Sequence, residues 1–267
     1  MPKVETNGIE IYYEEAGSGD PLLCMMGITA PGSVWEAHVD EWQKHYRCIM
    51  PDNRGVGRSD KPQGPYTSAM MADDYAGLLD RLGIQKARVV GCSMGSIIAQ
   101  QLMIRHPGKV ESAILMCSWA RCDAYAAGIF EHMMVIKARL TPSEFTQYVQ
   151  LLIFTKPFWD NKNTCQSLTE GRAAAALDPA PQPLHGLEAQ AWACINHNVL
   201  EDLPTISVPC LVIGGEDDIF TPKWMGEEVA SAIPNSEFYL YKNAGHAFHF
   251  EHMDDFNIKS TEWLLKH

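Results

Sequence analysis

Two rhythms of apolar and polar positions run through this chain, and where each one holds tells which element it predicts. Lys3 to Thr6 and Ile9 to Glu14 flank Asn7-Gly8, a two-residue signal for a tight hairpin. Short apolar runs follow at Pro21 to Met26 and Arg47 to Pro51, which fit buried strands. Thr67 to Leu82 has helical spacing at Met71, Tyr75, Leu78, Leu79 and Leu82, with Gly83 where a C-cap glycine belongs. Ala87 to Val90 reads as a strand, Ser96 to His106 as a helix closed by Pro107-Gly108, and Val110 to Cys117 as a further strand. Strand and helix patterns in alternation predict a mostly parallel sheet covered on both faces.

The alternation then stops. Residues 119–203 show helical patterns and Pro-rich joints but no strand. Thr141-Pro142-Ser143-Glu144 is a capping box with proline at the first helical position, predicting a helix through about Phe154. Asn161 to Leu177 and Leu184 to Asn196 are predicted helical too. After Val208 the first rhythm returns, with Cys210 to Gly214 and Glu237 to Tyr241 as strands and Pro222 to Ile233 and Asp254 to Lys266 as helices. The expected organisation is an α/β core from residues 1–118 and 204–267, with 119–203 inserted as a helical lid over the sheet's C-terminal edge. Ligands bind at that edge in open α/β sheets.

Composition narrows the partners. The chain has 267 residues, 46% hydrophobic and 20% charged, enough for one large core, and its net charge of −12 argues against nucleic acid or an anionic membrane surface. The first residues carry no apolar core of a signal peptide, and no apolar run approaches the ~20 residues of a membrane span. Eight cysteines without a CxxC pair read as reduced thiols, which points to the cytoplasm. A monomer or homodimer is expected.

The chemistry centres on Gly91-Cys92-Ser93-Met94-Gly95, between the strand at 87–90 and the helix at 96–106. A serine between two glycines at a strand-to-helix turn is a nucleophile elbow, in which the sharp turn lifts the hydroxyl clear of the backbone. A serine hydroxyl needs a base to take its proton, and that base needs an orienting acid. In elbow proteins the order along the chain is serine, acid, histidine. Glu216-Asp217-Asp218 lies just past one strand, and Gly245-His246 lies beyond the last.

With these residues in view, the chain resembles the α/β-hydrolase fold family over essentially its whole length. It is closest to the branch with helical lids that includes enol-lactone hydrolases, carbon–carbon bond hydrolases and cofactor-free haloperoxidase-like esterases. The resemblance implies an eight-stranded, mostly parallel sheet with helices on both faces. In that branch the acid stands four residues before the proline of G-x-x-D-x-x-x-P, which selects Asp218 in Gly215 to Pro222, with Asp217 as the alternative in register and Asp123 a more distant one. His246 matches the family's Gly-His histidine. An oxyanion hole would take one backbone N–H from Met94 and one from Ile28, in a loop where Met26-Gly27 replaces the usual His-Gly. That replacement leaves open what supports the loop. Asp52 to Asp60 resembles the family's D-x-R-G-x-G-x-S stretch and is read as structural, because no helix opens after it.

Trp119, Phe158 and His249 are expected to wall an apolar substrate pocket. The spacing of His246, His249 and His252 is read as pocket and surface histidines, so neither metal nor cofactor is expected. The resemblance implies a serine hydrolase acting on a small apolar carbonyl compound, an ester or lactone. Carbon–carbon hydrolysis of a diketone uses the same triad and is the alternative. A ligand receptor with slow turnover is a second.

Overall fold

A computed structural model describes residues 2–267. Eight strands form one sheet: β1 (Lys3–Thr6), β2 (Ile9–Gly17), β3 (Asp20–Met25), β4 (Tyr46–Pro51), β5 (Ala87–Cys92), β6 (Val110–Met116), β7 (Cys210–Gly215) and β8 (Ser236–Tyr241). Their spatial order is β1-β2-β4-β3-β5-β6-β7-β8. The β1–β2 and β2–β4 pairs are antiparallel and every other pair is parallel. The core helices are α1 (Glu36–Trp42), α2 (Ser68–Arg81) and α3 (Met94–Arg105). The segment between β6 and β7, expected to form a lid, contributes α4 (Ala124–Lys137), α5 (Pro142–Ile153), α6 (Lys156–Asp160), α7 (Lys162–Ala176) and α8 (Leu184–Ile195). The chain closes with α9 (Lys223–Ala232), the short α10 (Phe248–Glu251) and α11 (Met253–Lys266).

The central strands are continuous apolar runs because both faces are covered. In β5, Val89 belongs to the core that includes residues of α2, α3 and α9, while its neighbour Val90 belongs to the core of the opposite face with Trp35, Trp42, Phe256 and Leu264. That is the period-two alternation of a strand read by two cores. Helix α1 carries Val39 and Trp42 into the second core; the apolar spacing over these seven residues is too short to have stood out in the sequence. No helix among the described residues is long and apolar enough to cross a membrane.

The lid capping box forms as expected, with Thr141 Oγ1 accepting from Glu144 N–H and Glu144 Oε2 accepting from Thr141 N–H at 2.9 Å. One feature departs from the all-helical expectation. Arg121 and Asn198 form an isolated antiparallel bridge, and Val199 N–H donates to Ala120 O at 2.9 Å. The outgoing and returning chains are thereby tied together at the base of the lid.

The chain leaves β3 for β4 on one side and returns to β5 on the other, so the strand order reverses beside β3. The loops after β3 and β5 therefore stand next to each other at the C-terminal edge, where a crevice opens.

Candidate active site

The elbow is dictated by its glycines. A Cβ on Gly95 would lie 2.1 Å from the Met25 carbonyl oxygen, and one on Gly91 would lie 2.6 Å from the Gly95 carbonyl oxygen. Both flanks must be bare for α3 to start so soon after β5. Ser93 then sits at φ 54°, ψ −118°, held by its N–H donating to Met116 O at 2.8 Å and by Ser96 Oγ donating to its carbonyl at 2.7 Å. Such a backbone costs on the order of 1–3 kcal/mol, offset by the surrounding bonds.

Asp218 and His246 leave the ends of β7 and β8. His246 Nδ1 lies 2.8 Å from Asp218 Oδ2, while Phe220 and Thr221 N–H groups donate to Asp218 Oδ1 at 2.8 and 2.9 Å. Thr221 Oγ1 donates to Asp218 Oδ2 at 2.8 Å. Four donors thus hold the carboxylate, which fixes His246 with its proton on Nδ1 and leaves Nε2 as a base. Burial opposes charge on the imidazole, but the Asp218 charge and hydrogen bond outweigh it and hold the His246 pKa above the ordinary histidine value.

Asp217 does not share this place. Its side chain is exposed, and its N–H is bonded to Ala244 O. Asp123 caps the N-terminus of α4 by accepting from Ala126 N–H. Thr221 went unnoticed in the sequence, although a hydroxyl three residues past the acid can bond it by a local turn.

Ser93 and His246 both line a cavity of about 520 Å³ that is also lined by residues of α4, α5 and α7. Ser93 Oγ makes no hydrogen bond to His246 here; such bonds commonly tighten only when substrate is bound. The Ile28 and Met94 N–H groups find no acceptor among the described residues. Met94 opens α3, so the positive end of that helix adds to its N–H. Asn53 answers how the Met26 loop is supported: its Nδ2 donates to Met26 O at 2.8 Å, and Tyr75 OH donates to its Oδ1 at 2.7 Å. Asp52 in the same stretch accepts from Gly32 and Arg58 N–H, a structural role.

Among the pocket residues, Phe158 and His249 line the cavity, and Phe158 stacks on Phe154 with ring centroids 4.5 Å apart. Trp119 does not. It is 1% exposed and packs between Phe130 and His197, away from the cavity wall. As the first residue after the β6 loop it belongs to the base of the lid, where a large ring fills the joint. His252 is half-buried against Tyr241, outside the cavity.

Cys117, Asp218 and His246 bring possible metal-ligand atoms within 4.8 Å of one another. Their atoms are otherwise engaged: Asp218 by the four donors above, and Cys117 Sγ by donating to the His246 carbonyl at 2.9 Å. That arrangement suits a triad better than a metal.

The alpha/beta hydrolase fold family matches this chain over residues 20–253. A protein of Mycobacterium tuberculosis that carries the name non-heme bromoperoxidase BpoC is 34% identical over 262 residues, covering 96% of this chain and 98% of its own. A thermophilic esterase from Thermogutta terrifontis superposes with a TM-score of 0.87 at 28% identity, over 100% of this chain and 99% of its own. The enol-lactonase from Burkholderia xenovorans LB400 superposes with a TM-score of 0.89 at 25% identity, over 99% of this chain and 100% of its own. The chain therefore belongs to the α/β hydrolase family, and hydrolysis is the chemistry that its site has to account for.

Proposed function

We propose that this chain is a serine hydrolase that cleaves small, uncharged esters or lactones through an acyl-enzyme. The observation that carries the reading is convergence: the elbow Ser93, the Asp218-oriented His246 and Ile28 line one cavity, and the Ile28 N–H and that of Met94, next in chain to the serine, have no acceptor among the described residues. Ser93 attacks the carbonyl carbon while His246 Nε2 takes its proton. Asp218 stabilises the imidazolium that results, and the Ile28 and Met94 N–H groups stabilise the oxyanion. The leaving group departs with the proton from His246. Water, deprotonated by the same imidazole, then releases the acid.

The substrate class follows from the wall. No Asp, Glu, Lys or Arg lines the cavity among the described residues, whereas Met133, Val149, Ile153, Phe154, Phe158 and Phe250 do. A charged substrate would lose its hydration there without gaining a counter-charge. The names of the esterase and the enol-lactonase among the structural relatives favour the same class.

A panel of aryl esters, lactones and ring-cleavage diketones, together with a phosphonate probe, tests this reading. Esters or lactones should turn over and the probe should label the Ser93 peptide. Hydrolysis that persists undiminished in Ser93→Ala would reject the mechanism, and turnover of diketones alone would move the assignment to carbon–carbon cleavage.

A further inference from the structure

A second nucleophile stands one residue before Ser93. The Cys92 thiol lines the same cavity, and its Sγ lies 3.9 Å from Nε2 of His249, another wall residue that is 2% exposed. Behind His249 runs a line of buried partners. His249 Nδ1 is 2.9 Å from His38 Nε2, and His38 Nδ1 is 2.6 Å from Asn257 Oδ1.

Proton positions follow from the far end of this line. The Asn257 carboxamide oxygen only accepts, so His38 carries its proton on Nδ1. Burial, reinforced by the neighbouring His249, pushes the His38 pKa down to about 3, so His38 is neutral and its Nε2 accepts. His249 must then donate from Nδ1. Its Nε2 is left as a lone pair beside the Cys92 thiol. Nucleophile, imidazole and orienting partner repeat the arrangement of Ser93, His246 and Asp218, and the hydrolytic steps use none of these four residues.

Cys117 completes the group. Its S–H is donated to the His246 carbonyl, and its sulfur together with His249 favours the Cys92 thiolate against the cost of burial. The thiolate is the reactive form of cysteine. The wall that excludes charged molecules admits small neutral ones, so it also selects which electrophiles reach this sulfur.

We propose that Cys92 is a modification site within the substrate cavity, alkylated by small neutral Michael acceptors with His249 as its base, and that alkylation stops hydrolysis at Ser93. In the step, His249 Nε2 takes the thiol proton and the sulfur electron pair forms an S–C bond to the β-carbon of the α,β-unsaturated carbonyl. The C=C π pair moves toward the carbonyl as an enolate, and protonated His249 returns the proton to the α-carbon. No group leaves and no co-reactant is needed. The adduct occupies cavity volume next to Ser93.

Methyl vinyl ketone, peptide mass mapping and an aryl-ester assay test this on the full chain. The Cys92 peptide should gain one probe mass at least about tenfold faster than Cys24 and Cys48, the change in thiolate fraction that one pKa unit brings. Those two thiols are buried in β3 and β4 and do not line the cavity that holds Ser93. Hydrolysis should fall in step with Cys92 labelling, and Cys92→Ala should keep whatever activity it has through the same exposure. Phosphonylating Ser93 first should slow labelling of Cys92, and His249→Gln should slow it by about the same tenfold. Labelling of Cys92 no faster than of Cys24, or full modification with hydrolysis intact, overturns the proposal. If His249→Gln does not fold, protection by the phosphonate takes its place, and unprotected labelling then counts against a route through the cavity. The comparison with Cys24 and Cys48 needs no turnover, so it stands even if Ser93 proves inert.

Discussion

The Ala247 N–H donates to the Ile153 carbonyl at 2.9 Å, which ties the loop carrying His246 to the C-terminal end of lid helix α5. Glu251 doubles the tie. Its Oε1 accepts from Thr155 N–H and Oγ1 at 2.7 and 2.8 Å, and its Oε2 accepts from Gly245 N–H at 2.6 Å. The α5 end of the segment between β6 and β7 is thus hydrogen-bonded to the loop that carries His246, and Ile153 also lines the cavity.

Glu251→Ala should therefore weaken both fold and catalysis. Removing the carboxylate strands two backbone donors that were bonded to a charged group, a loss of about 2–4 kcal/mol. Denaturant titration should show that loss, and kcat should fall because the His246 loop is freed. Glu251→Gln, which keeps an acceptor, should fall between the two. Wild-type stability and kcat in Glu251→Ala would mean that the tie is incidental.

Asp218→Asn should lower kcat by on the order of 10⁴, by analogy with the orienting aspartate of serine proteases. Asp217→Asn should cost little, because that side chain is exposed and only its backbone is bonded. Equal losses at the two positions, or a loss at Asp217 alone, would contradict the assignment.

Activity and stability should respond differently to acid. His246 must be neutral to act as base, and its pKa is raised by Asp218, so kcat/KM should fall as pH drops through a value above the ordinary ~6.5 of histidine. Because its folded pKa is the higher one, His246 contributes stability that is fully present below the unfolded value and lost as pH rises through the folded one. His38 and His197 have the opposite sign. Burial holds both near 3, so their contribution is present above ~6.5 and is lost progressively as pH falls toward 3. The His246 contribution is constant below ~6.5, so the two buried histidines decide the sign and net stability should fall over that window. A pH titration of kcat/KM alongside urea midpoints separates the two behaviours. Activity that stays flat down to pH 5 would exclude His246 as the base.

Phe158→Ala and Trp119→Ala should fail in different ways. Phe158 lines the cavity, so its loss should change KM and substrate ranking by about 1–3 kcal/mol, with phosphonate labelling of Ser93 nearly unchanged. Trp119 is buried at the lid joint, so its truncation should cost about 3–5 kcal/mol of stability. Thermal melts and a substrate panel on both variants decide this. A ranking change in Trp119→Ala without loss of stability would place it in the pocket after all.

Much of the site is legible in the chain because its signals are local. The elbow depends on residues 91–95 and the strand and helix beside them, and the steric need for glycine at both flanks acts within a few bonds. Thr141 and Glu144 announce a helix start for the same reason. The choice of Asp218 over Asp217 rests instead on the resemblance, through the family's four-residue offset to Pro222, and the structure brings the Asp218 carboxylate to His246.

Tertiary structure decided the rest. Whether an aromatic side chain at the root of the lid faces a cavity or a joint depends on where the returning chain lies, and the bridge from Arg121 to Asn198 puts Trp119 in the joint. Asn53 and Met26 are joined only because the loops after β3 and β4 lie side by side. The line from Cys92 to Asn257 joins residues from β5, α1, α10 and α11, and His38 and His249 stand 211 positions apart. Apolar periodicity reports only which face of an element is buried. It does not say which buried imidazole meets which thiol, because that follows from packing between elements far apart in sequence.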